Sequence, residues 1–284
     1  MTPHQYCKKK TKESNSSFLS AFIFLNKNKR NALTALYAFC REVDDIVDDS
    51  NKLKIGKNKL AWWREEIKRL YDKKPKHPVT KELSMYIDEF QLSKIYFDEI
   101  IDGMEMDLNA NRYKNFKHLE LYCYRVASCV GILSAHIFGF KDQKTLKYAH
   151  NLGIALQLTN IIRDIGEDAR RGRIYIPLDE LKKSNLNEDD IFNFKKNHKF
   201  KNLIQNQAKR AKHFYLLAVN DLPDTDKKSQ KPGLIMANIY YVLLSKITKD
   251  HPENIINQRT LITHFEKLKI TILTFINFRF IRKH

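Results

Sequence analysis

Two segments of the chain each carry a pair of aspartates four residues apart, set among apolar residues with helical spacing. The first pair is Asp44 and Asp48, and the second is Asp164 and Asp168. Residues four apart lie on the same face of a helix, so each pair presents two carboxylates side by side. If a helical bundle brings both pairs together, divalent cations and the diphosphate that they neutralise would balance the charge. For either pair alone, a solvated acidic helix end is the alternative.

The composition favours a single all-α domain over residues 1–284. A chain of 284 residues is near the upper limit for one hydrophobic core, and no stretch rich in Pro, Gly or Ser divides it. The 8 Gly and 7 Pro leave long uninterrupted segments, which favour helices. Apolar periodicity predicts helices over 16–27, 29–50, 55–73, 79–90, 93–109, 116–139, 142–168, 188–196, 200–221, 233–250 and 258–282. Residues 1–13 are predicted to form a flexible N-terminal tail.

The net charge of +18 at pH 7 fits nucleic acid, an anionic membrane surface or phosphorylated substrates. The lysines are scattered over every segment and no nucleic-acid-binding motif is present, so nucleic acid is not predicted as a partner. The four cysteines lack zinc-site spacing and are predicted to be free thiols in a reducing cytoplasm. The longest apolar runs are shorter than the roughly 20 residues of a membrane span. We therefore expect a cytoplasmic protein, with peripheral contact at the inner face of the membrane left open.

The second acidic helix carries a polar stripe on a face that would otherwise be apolar. Its members are Gln157, Asn160, Asp164 and Asp168. Two buried carboxylates without partners would cost several kcal/mol, so a cation or a fixed Arg or Lys must accompany them. Mg²⁺ binds one or two carboxylates together with phosphate oxygens. The stripe therefore predicts Mg²⁺ ions bridged by a diphosphate, with Mn²⁺ as the alternative.

Arginines accompany both acidic pairs. Arg41 and Arg163 stand beside them, and the second pair is followed by Arg170, Arg171 and Arg173. Guanidinium groups bind phosphate oxygens through paired hydrogen bonds, so this run predicts a phosphate clamp. A solvated loop is the alternative, which Tyr175 and Pro177 make weaker because they would fix the path of the chain.

Metal bound by the aspartates would withdraw electrons from a diphosphate and make it a leaving group. The carbocation left behind needs a dry cavity, since water would capture it. Apolar and aromatic residues that could line such a cavity, each of which could equally be ordinary core, are Phe18, Phe22, Tyr37, Tyr122, Val126, Leu133, Leu156 and Tyr240.

Several motifs resemble the squalene/phytoene synthase family, the head-to-head trans-isoprenyl diphosphate synthases. They are Ser17-Phe18, the segment 37–41 that leads into the first acidic pair, the segment 122–131, and Gln157 to Asp168 with the following Arg-Arg-Gly-Arg-Ile-Tyr-Ile-Pro. The resemblance implies an isoprenoid synthase fold with metal ligands at Asp44, Asp48, Asn160, Asp164 and Asp168. It implies further catalytic residues at Arg41 and Tyr122. It implies substrate contacts at Ser17, Phe18, Arg41, Gln157, Asn160, Arg163, Arg170, Arg171, Arg173, Tyr175, Val126 and Tyr240.

Segments 60–67, 77–80 and 102–107 look most like the bacterial presqualene diphosphate synthases of hopanoid pathways. That likeness implies prenyl transfer between two molecules of farnesyl diphosphate, giving presqualene diphosphate with two or three Mg²⁺ ions. Squalene, hydroxysqualene, dehydrosqualene or phytoene remain alternative products. NADPH is not expected for the first step and is left open for a second. The C-terminal cation that meets diphosphate is either Arg259 or Lys267.

Two other classes of function remain open: a catalytically inactive scaffold relative, and nucleic-acid binding through the positive charge. A terpene cyclase is disfavoured because its second, Asn/Ser/Glu metal motif is missing. The stretch 267–283 mixes basic and aromatic residues at helical spacing and could dock on a membrane, although an ordinary core helix is the favoured interpretation. Oligomeric state is left open.

Overall fold

The structure is a computed structural model that describes residues 1–13, 25–49, 53–109, 112–249, 251–276 and 281, without the side chains of Asp48 and Asp49. Within these ranges the fold is a helical bundle without a β-sheet, which confirms the predicted all-α class. The strand-like pairing that these ranges contain is an isolated parallel bridge between Arg112 and Ile174.

The helices of the first half are α1 (Pro3–Glu13), α2 (Lys27–Asp49), α3 (Leu53–Tyr71), α4 (Pro78–Leu83), α5 (Lys94–Asn109), α6 (Phe116–Cys123) and α7 (Cys129–Phe138). A π-helical turn, Tyr124–Ser128, joins α6 to α7. The second half contains α8 (Lys144–Arg170), α9 (Leu178–Lys183), α10 (Glu188–Phe192), α11 (His198–Asp221), α12 (Lys231–Thr248) and α13 (His264–Ile276), with 3₁₀ turns at Asp224–Asp226 and Pro252–Ile256.

Helix α8 lies at the centre of the bundle. It packs along α11 and also contacts α7, α12 and the π turn. Apolar residues such as Ile154, Leu158 and Ile162 are buried on its packed faces. A central helix has little free surface, so a polar stripe along it must face either a cavity or another buried polar group.

The polar stripe faces a cavity of about 750 Å³ that α2, α5, the α6–α7 segment, α8 and α12 enclose. The cavity wall includes α8 residues from Tyr148 to Asp168. At a rise of 1.5 Å per residue, that stretch is roughly 30 Å long. The cavity is therefore elongated along the axis of α8.

The π turn approaches α8 so closely that only a glycine fits between them. A Cβ atom on Gly153 would lie 2.5 Å from the Cα atom of Ser128. The Ser128 hydroxyl also donates to the carbonyl oxygen of His150 at 2.7 Å. Both contacts hold the backbone of the π turn against α8, where Val126 and Ala127 form part of the cavity wall.

Gly153→Ala is expected to destabilise the protein, although the same change usually stabilises a helix by about 1 kcal/mol. The added Cβ would meet backbone atoms of Ala127 and Ser128, which cannot rotate away as a side chain can. We expect a loss of roughly 1–3 kcal/mol in the free energy of unfolding, typical of overpacking. Urea denaturation measures it, and a variant as stable as the parent would contradict the close contact.

The N-terminal residues differ from the expectation of a flexible tail. Residues 3–13 form α1, which packs on α2 and α4 and buries Cys7 and Thr11. Lys10 pairs with Asp45 at 2.8 Å and with Glu42 at 3.2 Å. The segment is ordered because Cys7 and Thr11, four positions apart, share one packed face, while Lys8, Lys9 and Lys12 are exposed to solvent.

Most predicted helices agree with the structure to within a few residues, and two differ more. The segment 79–90 stays helical only to Leu83 and continues as turns that end at Gln91, where φ is +50°. The last helix begins at His264 rather than 258, because Pro252–Ile256 forms a 3₁₀ turn before it. The predicted helix over 16–27 lies mostly outside the described residues.

One continuous helical stretch, Phe116–Phe138, is long and apolar enough to cross a membrane by length and composition, among the described residues. Its most apolar window is 56% buried inside the bundle, and it includes Tyr122 and Val126 of the cavity wall. Core helices meet the same criterion, so the burial of this stretch assigns it to the core.

Candidate active site

The cavity has a polar end and an apolar end. Along α8, the stripe residues Gln157, Asn160, Asp164 and Asp168 all line it, as their spacing predicts. The preceding α8 residues on the wall are Tyr148, Ala149, Leu152, Gly153 and Leu156, and apolar residues of other helices continue this part of the wall, namely Ile100, Met104, Val126, Val130, Phe138 and Met236. The shape fits a ligand with an anionic head and a long apolar chain.

Asp164 lies between two guanidinium groups. Arg163 binds it through Nε–Oδ1 at 2.7 Å and Nη2–Oδ2 at 2.5 Å, and Arg259 Nε is 2.8 Å from Oδ1. Burial by itself would lower the pKa of Arg163, but the bonds and charge of Asp164 raise it. Charge-assisted, bidentate contacts of this kind fix the carboxylate in one orientation.

Both C-terminal cations left open by the sequence lie on the cavity wall. Arg259 contacts Asp164 directly and also approaches Glu167, with Nη1 3.4 Å from Oε2. Lys267 lines the cavity too, and its pKa is lowered by burial and by the charge of Arg163. Arg259 therefore acts on the second acidic pair. Lys267 adds positive charge to the wall and forms no ion pair with the described acidic residues.

Asp168 occupies a site that disfavours a lone negative charge. Burial raises its pKa to about 7, and the carboxylates of Asp164 and Asp107 add to this shift, while Arg173 and Arg171 oppose it. A carboxyl held among other carboxyls in a buried site is stabilised in its ionised form by a nearby cation. The electrostatics of this end of the cavity therefore favour a bound cation.

Asn160 supplies a second sign that a ligand belongs here. Its Oδ1 atom is buried and has no hydrogen-bond partner within the described part of the chain, which is costly for an acceptor in a protein interior. Oxygen donors of this kind suit Mg²⁺. Among the described residues, no group of three or more His, Cys, Asp or Glu side chains is close enough to hold a metal alone. The residues present thus fit an ion whose remaining ligands come from phosphate oxygens.

The first acidic pair reaches the same cavity from α2. Asp44 lines it at a more exposed position, with 42% of its side chain accessible, and it is paired with Arg41. Arg41 also binds Asp45, with Nη2–Oδ1 at 2.5 Å. The side chain of Asp48 lies outside the described part of the chain, so its predicted metal contact stays a prediction. Asp44 faces inward with Asp164 and Asp168, so the two distant acidic segments converge.

The three arginines of the predicted phosphate clamp, at the end of α8 and in the loop that follows it, point in different directions. Arg171 lines the cavity, and Arg173 reaches α2, with Nη2 3.3 Å from the carbonyl oxygen of Val47. Arg170 instead points away, with its guanidinium 5.1 Å from the centre of the Phe194 ring. The prediction that Arg170 lines the site is corrected, because helical geometry turns it to the face opposite Asp168.

For the prenyl diphosphate substrate that the family resemblance implies, Arg171→Gln is expected to raise KM about tenfold, which corresponds to roughly 1.4 kcal/mol of binding energy. Arg170→Gln is the matched control on the adjacent position and should leave KM unchanged. Steady-state kinetics of both variants measures the two KM values and shows whether only the Arg171 change raises KM. Equal effects of the two changes would contradict the different placement of their side chains.

Asp107 organises the wall beside Asp168 and was missed as a site residue. It accepts hydrogen bonds from the hydroxyl groups of Tyr122 at 3.0 Å and Tyr175 at 2.7 Å. The Tyr113 ring stacks on Tyr175, with centroids 5.7 Å apart. Two sequence signals could have found it: Asp107 ends the segment 102–107 that shows the family resemblance, and it lies three positions after the buried Met104 on α5.

These contacts change the expected role of Tyr175. It is held against Asp107 rather than on the cavity wall, so the structure does not bring it to the ligand space, whereas Tyr122 does line the cavity. Burial, followed by the charge of Asp107, raises the pKa of both hydroxyls far above their usual value. Both tyrosines therefore stay protonated and keep donating to Asp107.

The other predicted residues fall into three groups. Arg41, Val126, Arg163 and Tyr240 line the cavity with the polar stripe of α8. Leu133, a candidate liner, is fully buried in the core and is not part of the cavity wall. Ser17, Phe18 and Phe22 lie outside the described residues.

The squalene/phytoene synthase family model matches residues 11–266. The chain is 35% identical over 268 residues to a chloroplastic phytoene synthase of an Oncidium hybrid cultivar, covering 92% of this chain and 65% of that protein. The chain thus spans less than two thirds of that relative's length. It is 33% identical to the phytoene synthase of Arthrospira platensis, covering 93% of this chain and 90% of the relative.

Solved structures agree with these matches. A dehydrosqualene synthase crystallised with a ligand superposes with a TM-score of 0.86 at 27% identity, covering 98% of this chain and 97% of that one. The squalene synthase HpnC of Alicyclobacillus acidocaldarius gives a TM-score of 0.76 at 25% identity, covering 86% and 92%. The cavity, its acidic stripe and these likenesses together identify the chain as a member of the squalene/phytoene synthase family.

Proposed function

We propose that this protein condenses two molecules of farnesyl diphosphate head to head into presqualene diphosphate, releasing one diphosphate. The observation that carries the proposal is the elongated cavity whose polar end gathers Asp44, Asp164, Asp168 and Arg171, while its other end is apolar. Family membership supports the reaction type. The product would enter squalene and hopanoid biosynthesis.

The polar end binds and orients the diphosphate groups. Arg171, Arg259 and Lys267 supply positive charge to phosphate oxygens. Asp44, Asp164, Asp168 and Asn160 would hold Mg²⁺, with Asp48 proposed as a further ligand. When bound, Mg²⁺ stabilises the negative charge that develops on a departing diphosphate. Arg163 fixes the orientation of Asp164 through the bidentate contact, so the carboxylate is placed before the substrate arrives.

The apolar end protects the reacting carbons. The C–O bond of the donor breaks and its electron pair leaves with the diphosphate, giving an allylic cation. The double bond of the acceptor attacks that cation, and loss of one proton closes a cyclopropane ring. Side chains such as Val126, Leu156 and Met236 exclude water from this space, since water would otherwise capture the cation.

A second candidate reaction is condensation of geranylgeranyl diphosphate to phytoene. Relatives that match over most of this chain carry the name phytoene synthase, which favours the longer substrate. The dehydrosqualene and squalene synthases among the structural neighbours favour the shorter one. NADPH is not part of the proposed first step. If a second, reductive step follows, the products formed with and without NADPH will differ.

The test incubates purified protein and Mg²⁺ with farnesyl or geranylgeranyl diphosphate, with and without NADPH. Products are treated with phosphatase, extracted and identified by chromatography and mass spectrometry. We expect presqualene alcohol from farnesyl diphosphate without NADPH. Phytoene formed only from the longer substrate would replace the first proposal with the second. Recovery of both substrates unchanged, under conditions in which the protein is folded, would refute both and favour a scaffold role.

A further inference from the structure

The last described helix, α13, buries two hydroxyl residues and leaves most of its apolar side chains exposed. Its packed face carries Ile270 together with the hydroxyl residues Thr271 and Thr274, which are 5%, 4% and 0% exposed. Thr274 accepts a hydrogen bond of 2.8 Å from the buried Asn238 of α12. A surface helix of a globular protein normally turns its apolar face to the core and its polar face to water.

The outer face of α13 is correspondingly apolar. Phe265 is 76% exposed, Leu268 57%, Ile272 46% and Ile276 72%. Spacings of three and four residues place them in one stripe along the helix. Leu261, four positions before Phe265, is also exposed, at 65%. Contiguous exposed apolar surface of this kind marks an interaction site in a folded protein.

The apolar stripe is continuous with the cavity. Leu261 is both exposed to solvent and part of the cavity wall, and Lys267 of α13 also lines the cavity. A molecule at the stripe therefore lies at an entrance to the apolar space. This position suits the exchange of long-chain lipids, whose transfer through water is unfavourable.

The charge around the stripe is positive. Lys269 is exposed on α13, and Lys231 holds its Nζ atom 3.7 Å from the centre of the Phe275 ring. Glu266 is the one acidic residue within α13, and it is paired with Lys246 at 2.6 Å. In sequence, Arg279, Arg282 and Lys283 follow. A helix with apolar residues on one face and flanking cations matches the surface of an anionic bilayer.

We propose that α13 and Leu261 dock this protein on an anionic membrane, with the apolar stripe inserted and the cavity entrance at the lipid surface. The proposal rests on the proposed function for its purpose, since both the substrate and the product would be lipids. The docking itself depends only on the stripe and its charge. Insertion to the boundary between headgroups and acyl chains would bury the stripe.

The test is flotation of the full chain with vesicles of phosphatidylcholine alone or mixed with phosphatidylglycerol, without substrate. We expect binding to the mixed vesicles that weakens at high salt, because screening reduces the electrostatic attraction. The variant Phe265→Ser/Leu268→Ser/Ile272→Ser should bind at least about tenfold more weakly. These side chains are exposed, so the variant should retain its helical signal and Tm.

A matched control replaces three exposed apolar residues elsewhere, as Leu53→Ser/Met85→Ser/Ile95→Ser, and should bind like the parent. The proposal is overturned if the parent does not float, if the α13 variant floats equally well, or if the control loses as much binding. It is also overturned if light scattering shows a dimer that only the α13 variant abolishes, because a second copy would then cover the stripe. Docking that persists without any condensation activity would refute the proposed function alone.

Discussion

Asp164→Ala is expected to abolish turnover while leaving the helical fold intact. Asp164 lines the polar end of the cavity and is held by Arg163 and Arg259. Its removal takes away a proposed metal ligand and leaves two guanidinium groups without their shared carboxylate. Losing one preorganised electrostatic group typically costs 10²–10³ in kcat, and we expect a fall of at least about that size.

The variant Asp164→Asn separates the chemical role from a structural one. Asparagine keeps the shape of the side chain and can still accept a hydrogen bond from Arg163, but it lacks the charge that a cation needs. We therefore expect Asn to restore Tm and circular dichroism to parental values without restoring kcat. Asp88→Ala, at a side chain 84% exposed, is the control and should retain full activity. Near-normal turnover of Asp164→Asn would remove this carboxylate from the metal site.

Glu66→Ala is expected to cause the largest loss of stability, about 3–5 kcal/mol, as when one partner of a buried ion pair is removed. The Glu66 side chain is fully buried on α3. It accepts hydrogen bonds from the backbone N–H groups of Lys76 at 2.6 Å and His77 at 2.8 Å, the Thr80 hydroxyl at 2.5 Å and Arg69 Nε at 2.7 Å. Without the carboxylate, these donors become buried and unsatisfied.

The pKa of Glu66 adds a pH dependence with a defined sign. Burial alone would raise this pKa, but the bonds from Thr80, His77, Lys76 and Arg69 lower it below the ordinary value of 4.5. Between the folded and unfolded pKa values of Glu66, the unfolded chain therefore binds more protons than the folded protein. The contribution of Glu66 to the free energy of unfolding is fully present above the unfolded pKa and is lost as pH falls through the folded pKa. The difference between the parent and Glu66→Ala should therefore shrink below about pH 4.5.

Guanidinium denaturation at pH 7 measures the loss of stability in Glu66→Ala, and repeating it at decreasing pH measures the pH dependence of that loss. Glu65→Ala is the control, since Glu65 is exposed on the next position of α3 and its loss should cost less than about 0.5 kcal/mol. Equal destabilisation by both changes, or a difference that grows as the pH falls, would contradict the role assigned to the buried carboxylate.

Local patterns in the sequence were enough to predict the central part of the site. The spacing of Gln157, Asn160, Asp164 and Asp168 places them on one face of a helix wherever that helix lies. The apolar residues between them predict a buried helix, so this face had to meet a cavity or a countercharge. The inward position of Asp44 followed from the same periodicity on α2, once a bundle was assumed.

Local sequence patterns do not predict which distant segments contact each other. The two acidic segments meet because α2 and α8 are packed around the same cavity, and Arg173 reaches the end of α2 for the same reason. Asp107 became visible only when α5, α6 and the loop after α8 brought Tyr122 and Tyr175 to it. No spacing along the chain encodes these distances.

Direction and burial also required the tertiary structure. Arg170 and Arg171 are adjacent residues of the same type, yet their side chains point in different directions. The guanidinium group of Arg170 lies over the Phe194 ring, whereas Arg171 lines the cavity. The lysine-rich N-terminal segment forms a packed helix. Helix α13 turns its threonines inward and most of its leucine, isoleucine and phenylalanine side chains outward, with Ile270 as the buried exception. The sequence alone determined the helical class, the acidic stripe and the family resemblance, because these depend on periodicity and local motifs. Which side chains share the cavity was decided only by long-range packing, because neighbours in space are set by how the helices pack together.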